Sequence, residues 1–388
     1  MANINSTPHN LFSVPDISSE MNRDTLSGQG AASRVLLHSY HSPFEAHELM
    51  AVANALVNAG GKGIYATAET QDVTSVSDAA TENATKLRVD DEENRKRERK
   101  WKEAAYTAMP SDYISGVILE SLLDFQLAHI LFGKGIIPGV RAEGELVPIP
   151  RSEEEFIVQG IDDLLARLQA ARIAGARFSK WRVPIACSST TTGFPSPLSL
   201  EIQAETLAQY AAISQQAGLV PIVELDVEFS RDADLDRSAE VHEKAIEMIY
   251  ERMRAHGVLL EGSLIKSSFA QPGLEHPSSR AVTPEQVALA TATVISRSVP
   301  IAVPGVLFSF GEPSPMRAMQ YLAALNAVIL AAPPNSPFTR LPAITFSYGS
   351  ALQGDAIKCW AKGDEEGTKV AIVKWSKACW HAARGEVM

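Results

Sequence analysis

Three runs with strand-like hydrophobicity carry the side chains best suited to covalent chemistry on a carbonyl. The run Val258 to Lys266 is apolar but for Glu261 and Ser263, and it ends on an amine. Burial among apolar residues favours a neutral amine, the nucleophilic form, over an ammonium ion. Ala176 to Arg182 brings Lys180 near its end, and Leu219 to Asp226 brings Glu224 and Asp226. Two lysines and a carboxylate at three strand ends suggest imine formation, in which the carboxylate moves protons on and off the intermediate.

Such residues cooperate only if the fold gathers the strand ends. From Pro43 onward helix-like and strand-like segments alternate: a helix near Phe44 to Asn58, a strand from Gly61 to Ala68, a charged helix from Glu92 to Met109 and a strand from Ser115 to Leu119. Leu164, Leu165, Leu168 and Ala171 share one helical face, and Gly175 stops that helix before the strand to Lys180. Leu207, Tyr210, Ala211 and Ser214 repeat the pattern before the strand to Glu224, and Val241, Ala245, Ile249 and Met253 repeat it before Lys266. Further units pair Pro284 to Arg297 with Pro300 to Phe308, and Pro315 to Ala327 with Ala343 to Ser347. About eight such units without an interdomain linker predict one α/β domain, a closed (β/α)8 TIM barrel over 43–388, with strand C-terminal ends lining one pocket. An open doubly wound sheet fits less well, because Gly61-Lys62-Gly63 precedes its strand instead of following it. Residues 1–42, rich in Ser, Asn and Pro, read as a disordered or loosely packed arm.

A chain of 388 residues, 45% hydrophobic and 21% charged, reads as globular. Its net charge of -11 argues against nucleic acid or an anionic membrane as partner. The mixed-sign run Asn94 to Lys102 reads as a solvated helix face. Three cysteines without CxxC spacing, and no secretory leader or apolar span, place the expected protein in the cytoplasm. His38 and His41 lack a completing carboxylate or cysteine cluster, so no metal and no cofactor are expected.

Several longer motifs point further. Gly61-Lys62-Gly63-Ile64, Gly116-Val117-Ile118-Leu119, Phe178-Ser179-Lys180-Trp181-Arg182, Gly218 to Glu224, Leu260 to Lys266 and Thr345-Phe346-Ser347-Tyr348-Gly349 resemble, in order and spacing, the class I fructose-1,6-bisphosphate aldolases. The resemblance runs from about Pro43 to His381 and implies a TIM barrel, often tetrameric, with a metal-independent Schiff-base mechanism. It implies that Lys266 forms the imine, that Glu224 is the acid and base of carbinolamine chemistry, and that Lys180 is the second active-site lysine. Arg182 matches the family arginine, and Asp226 stands for a second glutamate.

Against that pattern, Ala68 replaces the strand-end aspartate that assists carbon–carbon cleavage, and the neighbouring Glu69 would face the other way. Phe310 replaces a phosphate-binding serine, Ser350 an arginine, and Arg141 a lysine. Gln71 to Ser77 lacks the basic residue expected there, and the C-terminal tyrosine is absent. Charge-assisted donors to a phosphate contribute roughly 1.5–3 kcal/mol each, so their loss points to an uncharged or more apolar carbonyl substrate. The expected protein is a diverged aldolase-family lyase of specialised metabolism, a homo-oligomer, acting by aldol, retro-aldol or another iminium step such as amine–aldehyde condensation. A conventional fructose-bisphosphate aldolase and a non-catalytic barrel scaffold are the alternatives.

Overall fold

The computed structural model describes residues 41–67, 91–152, 154–189, 193–227, 231–309 and 314–386. Of the expected arm, only His41 and Ser42 are among them. Ser42 caps the first helix, α1 (Pro43–Val57), through a reciprocal pair of bonds: the Glu45 amide donates to Ser42 Oγ and the Ser42 amide to Glu45 Oε2.

Then follow β1 (Gly63–Ala66), α2 (Asp91–Ala108), β2 (Ile114–Leu119), α3 (Ala128–Phe132), β3 (Ile137–Arg141), a hairpin of β4 (Leu146–Pro148) and β5 (Phe156–Val158), and α4 (Leu164–Ala174). Next come β6 (Phe178–Ile185), α5 (Pro197–Gln216), β7 (Val220–Val227), α6 (Leu235–Ala255), β8 (Leu264–Ser267) and α7 (Pro284–Ser298). The chain ends with β9 (Gly305–Phe308), α8 (Pro315–Leu330), β10 (Ala343–Tyr348), α9 (Ser350–Ala361) and α10 (Glu365–Ala382). Strands β1, β2, β3 and β6 to β10 close a barrel in which every neighbouring pair is parallel, as the alternating pattern predicted.

Alternation along each strand splits the core in two. Trp181, Val183, Val223, Leu225 and Ile265 point outward into the layer under the helices. Phe178, Ile222, Leu264, Leu307, Ile64 and Ile118 point inward and pack on Ala46, Leu49, Ala53, Leu56 and Val57 of α1. Thus α1 plugs the N-terminal end of the barrel. Fully burying each of its larger apolar side chains contributes roughly 1.5–3 kcal/mol. The approach is close enough to require glycine: a Cβ at Gly305 would lie 2.6 Å from Val57 Cγ2.

Three details differ from the sequence reading. The apolar run to Lys266 is not one strand: Leu260–Gly262 forms a 3-10 turn, and β8 starts only at Leu264. The turn lets Gly262 pass α1, where a Cβ would sit 2.8 Å from Leu49 Cβ. Lys180 and Glu224 are not at strand ends, because β6 and β7 stay paired as far as Ile185 and Val227. The hairpin β4–β5 was not foreseen, since its strands span three residues each, too few to set up a period.

The basic run lies on α2, where Trp101 is buried and Lys102 reaches Glu98 at 2.6 Å, Glu120 at 2.6 Å and Asp124 at 3.0 Å. His41 Nε2 shares a hydrogen bond with Gln215 Oε1 at 3.1 Å, while His38 is outside the described residues. Among the described residues no helix is long and apolar enough to cross a membrane.

Candidate active site

Above the apolar floor the inward positions change character. On β6 the inward sequence is Phe178, Lys180, Arg182; on β7 it is Ile222, Glu224, Asp226; on β8 it is Leu264, Lys266. Register sets Glu224 beside Lys266 and Arg182 beside Glu224. One polar layer therefore follows from one step of two residues along three adjacent strands.

Lys266 is fully buried, and its Nζ lies 3.0 Å from Glu224 Oε1. The other carboxylate oxygen, Oε2, is 3.2 Å from Lys180 Nζ, within ion-pair distance but without a hydrogen bond's alignment. Burial alone would raise the Glu224 carboxyl's pKa, but the charges of Lys180, Lys266 and Arg182 and the Lys266 hydrogen bond outweigh it and hold the group ionised, well below the usual carboxylate range. Two buried cations thus share one carboxylate.

Lys180 has a second carboxylate on its far side. Glu143, just past β3, accepts from Lys180 Nζ at 2.7 Å and from Arg141 Nε at 3.0 Å, both on Oε1. Its Oε2 is buried and has no hydrogen-bond partner among the described residues. Arg141 itself reaches the surface, its side chain 41% exposed. Nearer the mouth, Arg182 Nε and Nη2 both donate to Asp226 Oδ2, the former at 2.7 Å. Asp226 is thereby engaged by an arginine one inward position above Glu224.

The opposite sector carries hydroxyls instead of charges. Ser347, near the end of β10, and Ser309, just past β9, each bury an Oγ that has no hydrogen-bond partner among the described residues. Ser350 is the half-buried first residue of α9, after Gly349. Ala68, Glu69, the stretch 71–77 and Phe310 lie outside the described residues.

Behind β7 and β8 a neutral relay fixes the layer. The Val227 amide donates to Ser268 Oγ at 3.1 Å, and Ser268 Oγ meets His242 Nε2 at 3.0 Å. His242 Nδ1 faces the Ser238 carbonyl at 2.7 Å. A carbonyl only accepts, so Nδ1 carries the proton and Nε2 accepts from the serine. Burial pushes the His242 imidazole down to about 4, which keeps it neutral in this relay.

Sequence reasoning had selected Lys266, Glu224, Lys180, Arg182, Asp226 and Arg141, and the barrel places all six in or beside this layer. It missed Glu143, although Arg141 and Glu143 are two residues apart and alternation puts them on one face. It missed His242 because the relay joins a helix to two strand ends far away in sequence.

Comparison with known proteins agrees with the barrel. A model of the family "Fructose-bisphosphate aldolase class-I" matches residues 48–387. The fructose-bisphosphate aldolase of Drosophila melanogaster is 36% identical over 353 residues, covering 87% of this chain and 91% of the fly protein. Fructose-bisphosphate aldolase B of Homo sapiens is 35% identical over 351 residues, covering 87% of this chain and 90% of the human one. A crystal structure of fructose-bisphosphate aldolase from Plasmodium falciparum, in complex with TRAP and a small-molecule inhibitor, superposes with a TM-score of 0.78 at 32% identity, covering 89% of this chain and 97% of that one.

Proposed function

Because this chain belongs to the class I fructose-bisphosphate aldolase family, and is thus a Schiff-base carbon–carbon lyase, we propose that Lys266 forms an iminium with a carbonyl substrate that carries no phosphate. Glu224 Oε1, 3.0 Å from Lys266 Nζ, accepts the proton the amine gives up before attack. In the neutral carbinolamine the positive charge beside Glu224 is gone, so its proton affinity rises and it can protonate the departing hydroxyl. Loss of water restores a cation, and Glu224 returns to the carboxylate. Lys180, 3.2 Å from Glu224 Oε2, keeps a positive charge beside the reacting oxygen throughout.

The observation that carries the substrate reading is the pairing of charge in this layer. Lys180, Lys266, Arg141 and Arg182 each face a carboxylate, and Ser350 stands at the foot of α9. A phosphate entering here would have to displace a carboxylate from its cation, whereas Ser309 and Ser347 offer neutral hydroxyls. Ala68 and Phe310, by sequence, add neither a carboxylate nor a polar donor. The relatives' names favour a second reading, a conventional fructose-bisphosphate aldolase.

A coupled assay separates the two. Cleavage of fructose-1,6-bisphosphate is expected to be weak or absent while borohydride traps neutral ketones on Lys266. The combined substitution Ala68→Asp, Phe310→Ser and Ser350→Arg is expected to raise bisphosphate cleavage. Bisphosphate turnover at ordinary aldolase rates by the unaltered protein overturns the substrate reading.

A further inference from the structure

Lys266 and Glu224 stand on different strands, so the distance between them depends on how firmly the ends of β7 and β8 are tied. The parallel ladder between these strands reaches its last pair at Leu225 and Ser267. Just beyond it the Val227 amide donates to Ser268 Oγ at 3.1 Å, a side chain standing where a strand would offer a carbonyl. Val227 follows Asp226 directly, and Ser268 is two residues past Lys266. A serine hydroxyl accepts an amide in a fixed direction only when its own proton is directed elsewhere. His242 Nε2, 3.0 Å away, takes that proton's hydrogen bond, because Nδ1 keeps its own proton on the Ser238 carbonyl. Burial keeps the imidazole neutral, as this arrangement requires, and His242 and Ser268 are 1% and 2% exposed. The rest of the exit from β8 is held in the same manner: the Gln271 amide donates to Ser238 Oγ at 3.2 Å and the Ala270 amide to Thr291 Oγ1 at 3.1 Å. The His242 contact differs in reaching, through Ser268, the end of β7 as well.

We propose that His242 and Ser268 are positioning residues for imine formation. The imidazole orients the serine hydroxyl, the hydroxyl ties the ends of β7 and β8, and the tie holds Glu224 Oε1 at 3.0 Å from Lys266 Nζ. This rests on the Lys266 imine reading. Without an acceptor at position 242 the Ser268 hydroxyl turns to another partner, the Val227 amide loses the oxygen aimed at it, and the two strand ends shift against each other. Proton transfer between Lys266 and Glu224 is sensitive to such a shift, since misplacing a reacting group by about 1 Å costs about 10²-fold in rate. The effect falls on the rate of the chemical step and not on capture of the ketone, which neither residue touches.

Two substitutions of His242 divide its two bonds. A glutamine side chain has the reach of Nε2 and presents its oxygen to Ser268, whereas an asparagine has the reach of Nδ1 and keeps only the bond to the Ser238 carbonyl. Single-turnover borohydride trapping of acetone on Lys266, followed across acetone concentrations at neutral pH, gives a limiting rate and a half-saturating concentration. His242→Gln is expected to keep the parent's limiting rate, and His242→Asn to lower it roughly 10- to 100-fold, with the half-saturating concentration unchanged in both. Ser268→Ala removes the middle of the tie and is expected to match His242→Asn, with the double variant no slower than either single one. Equal rates in His242→Gln and His242→Asn would make His242 a support of α6 alone and overturn the proposal. Ser268→Ala at the parent rate would do the same, as would losses that multiply in the double variant or a change confined to the half-saturating concentration. Ser268→Ala leaves His242 in place, so it decides the matter even where His242→Asn does not fold. A parent protein that traps no acetone on Lys266 overturns the imine reading and this proposal with it, whereas the other outcomes leave that reading intact.

Discussion

Two sectors of one barrel layer are built from opposite materials. Strands β6, β7 and β8, with the end of β3, hold Lys180, Glu224, Lys266, Glu143, Arg182 and Asp226 in linked ion pairs. Strands β9 and β10 hold buried serines, Ser309 and Ser347, whose hydroxyls have no partner among the described residues. In the charged sector each cation meets a carboxylate, although Glu143 Oε2 and Glu224 Oε2 accept no hydrogen bond among the described residues. The hydroxyl sector carries no charge, and its Ser309 and Ser347 hydroxyls are likewise without a partner there. The difference sets an ion-paired sector against a neutral one, and the proposed reading assigns bond making to the first and substrate choice to the second.

Breaking the charged sector at its nucleophile is expected to have the largest effect. Lys266→Met keeps most of the side-chain volume and removes the amine, so turnover and borohydride trapping should both vanish while the circular dichroism spectrum is retained. Turnover near the parent rate in this variant would end the imine account. Glu224→Gln comes next. It should slow trapping by roughly 10² to 10⁴-fold, read from single-turnover mass spectrometry, and an unchanged rate would remove Glu224 from proton transfer.

The hydroxyl sector should respond more gently. A lost neutral hydrogen bond is worth about 0.5–1.5 kcal/mol, so Ser309→Ala with Ser347→Ala should weaken capture of a hydroxyketone by roughly twofold to tenfold while leaving acetone trapping unchanged. Equal loss for both ketones would show that these serines do not discriminate.

The smallest effect at neutral pH lies behind the layer. His242 titrates near 4 in the fold, against about 6.5 when unfolded. Between those values the unfolded chain binds more protons, so stability falls as pH drops from about 6.5 to about 4, by on the order of 3 kcal/mol. His242→Gln should flatten that part of the urea midpoint-versus-pH curve, and an equally steep curve would show that His242 does not govern it.

The extent to which this was legible in sequence varied with distance along the chain. Strand and helix alternation was readable because each unit carries its own period and glycine stop, as at Leu164 to Gly175. Lys266 stood out because it ends an apolar run. Glu143 did not, since β3 and the hairpin after it are too short to make a pattern, and nothing local joins Glu143 to Lys180 across 37 positions. The break at Leu260–Gly262 was hidden because the residues that forbid a strand there belong to α1.

By itself the sequence determined a (β/α)8 barrel, and its motifs carried a family resemblance that implies an imine role for Lys266 beside Glu224 and Lys180. The barrel follows from local periodicity, which acts within a few positions. The tertiary structure decided that the reactive layer lies within the strands of β6 and β7, that Glu143 bridges Arg141 and Lys180, and that His242 locks the ends of β7 and β8. Those facts depend on barrel closure, which fixes register between strands and brings a helix within hydrogen-bond reach of their ends. No window along the chain contains that information, because hydrogen bonds and ion pairs are set by distances in space.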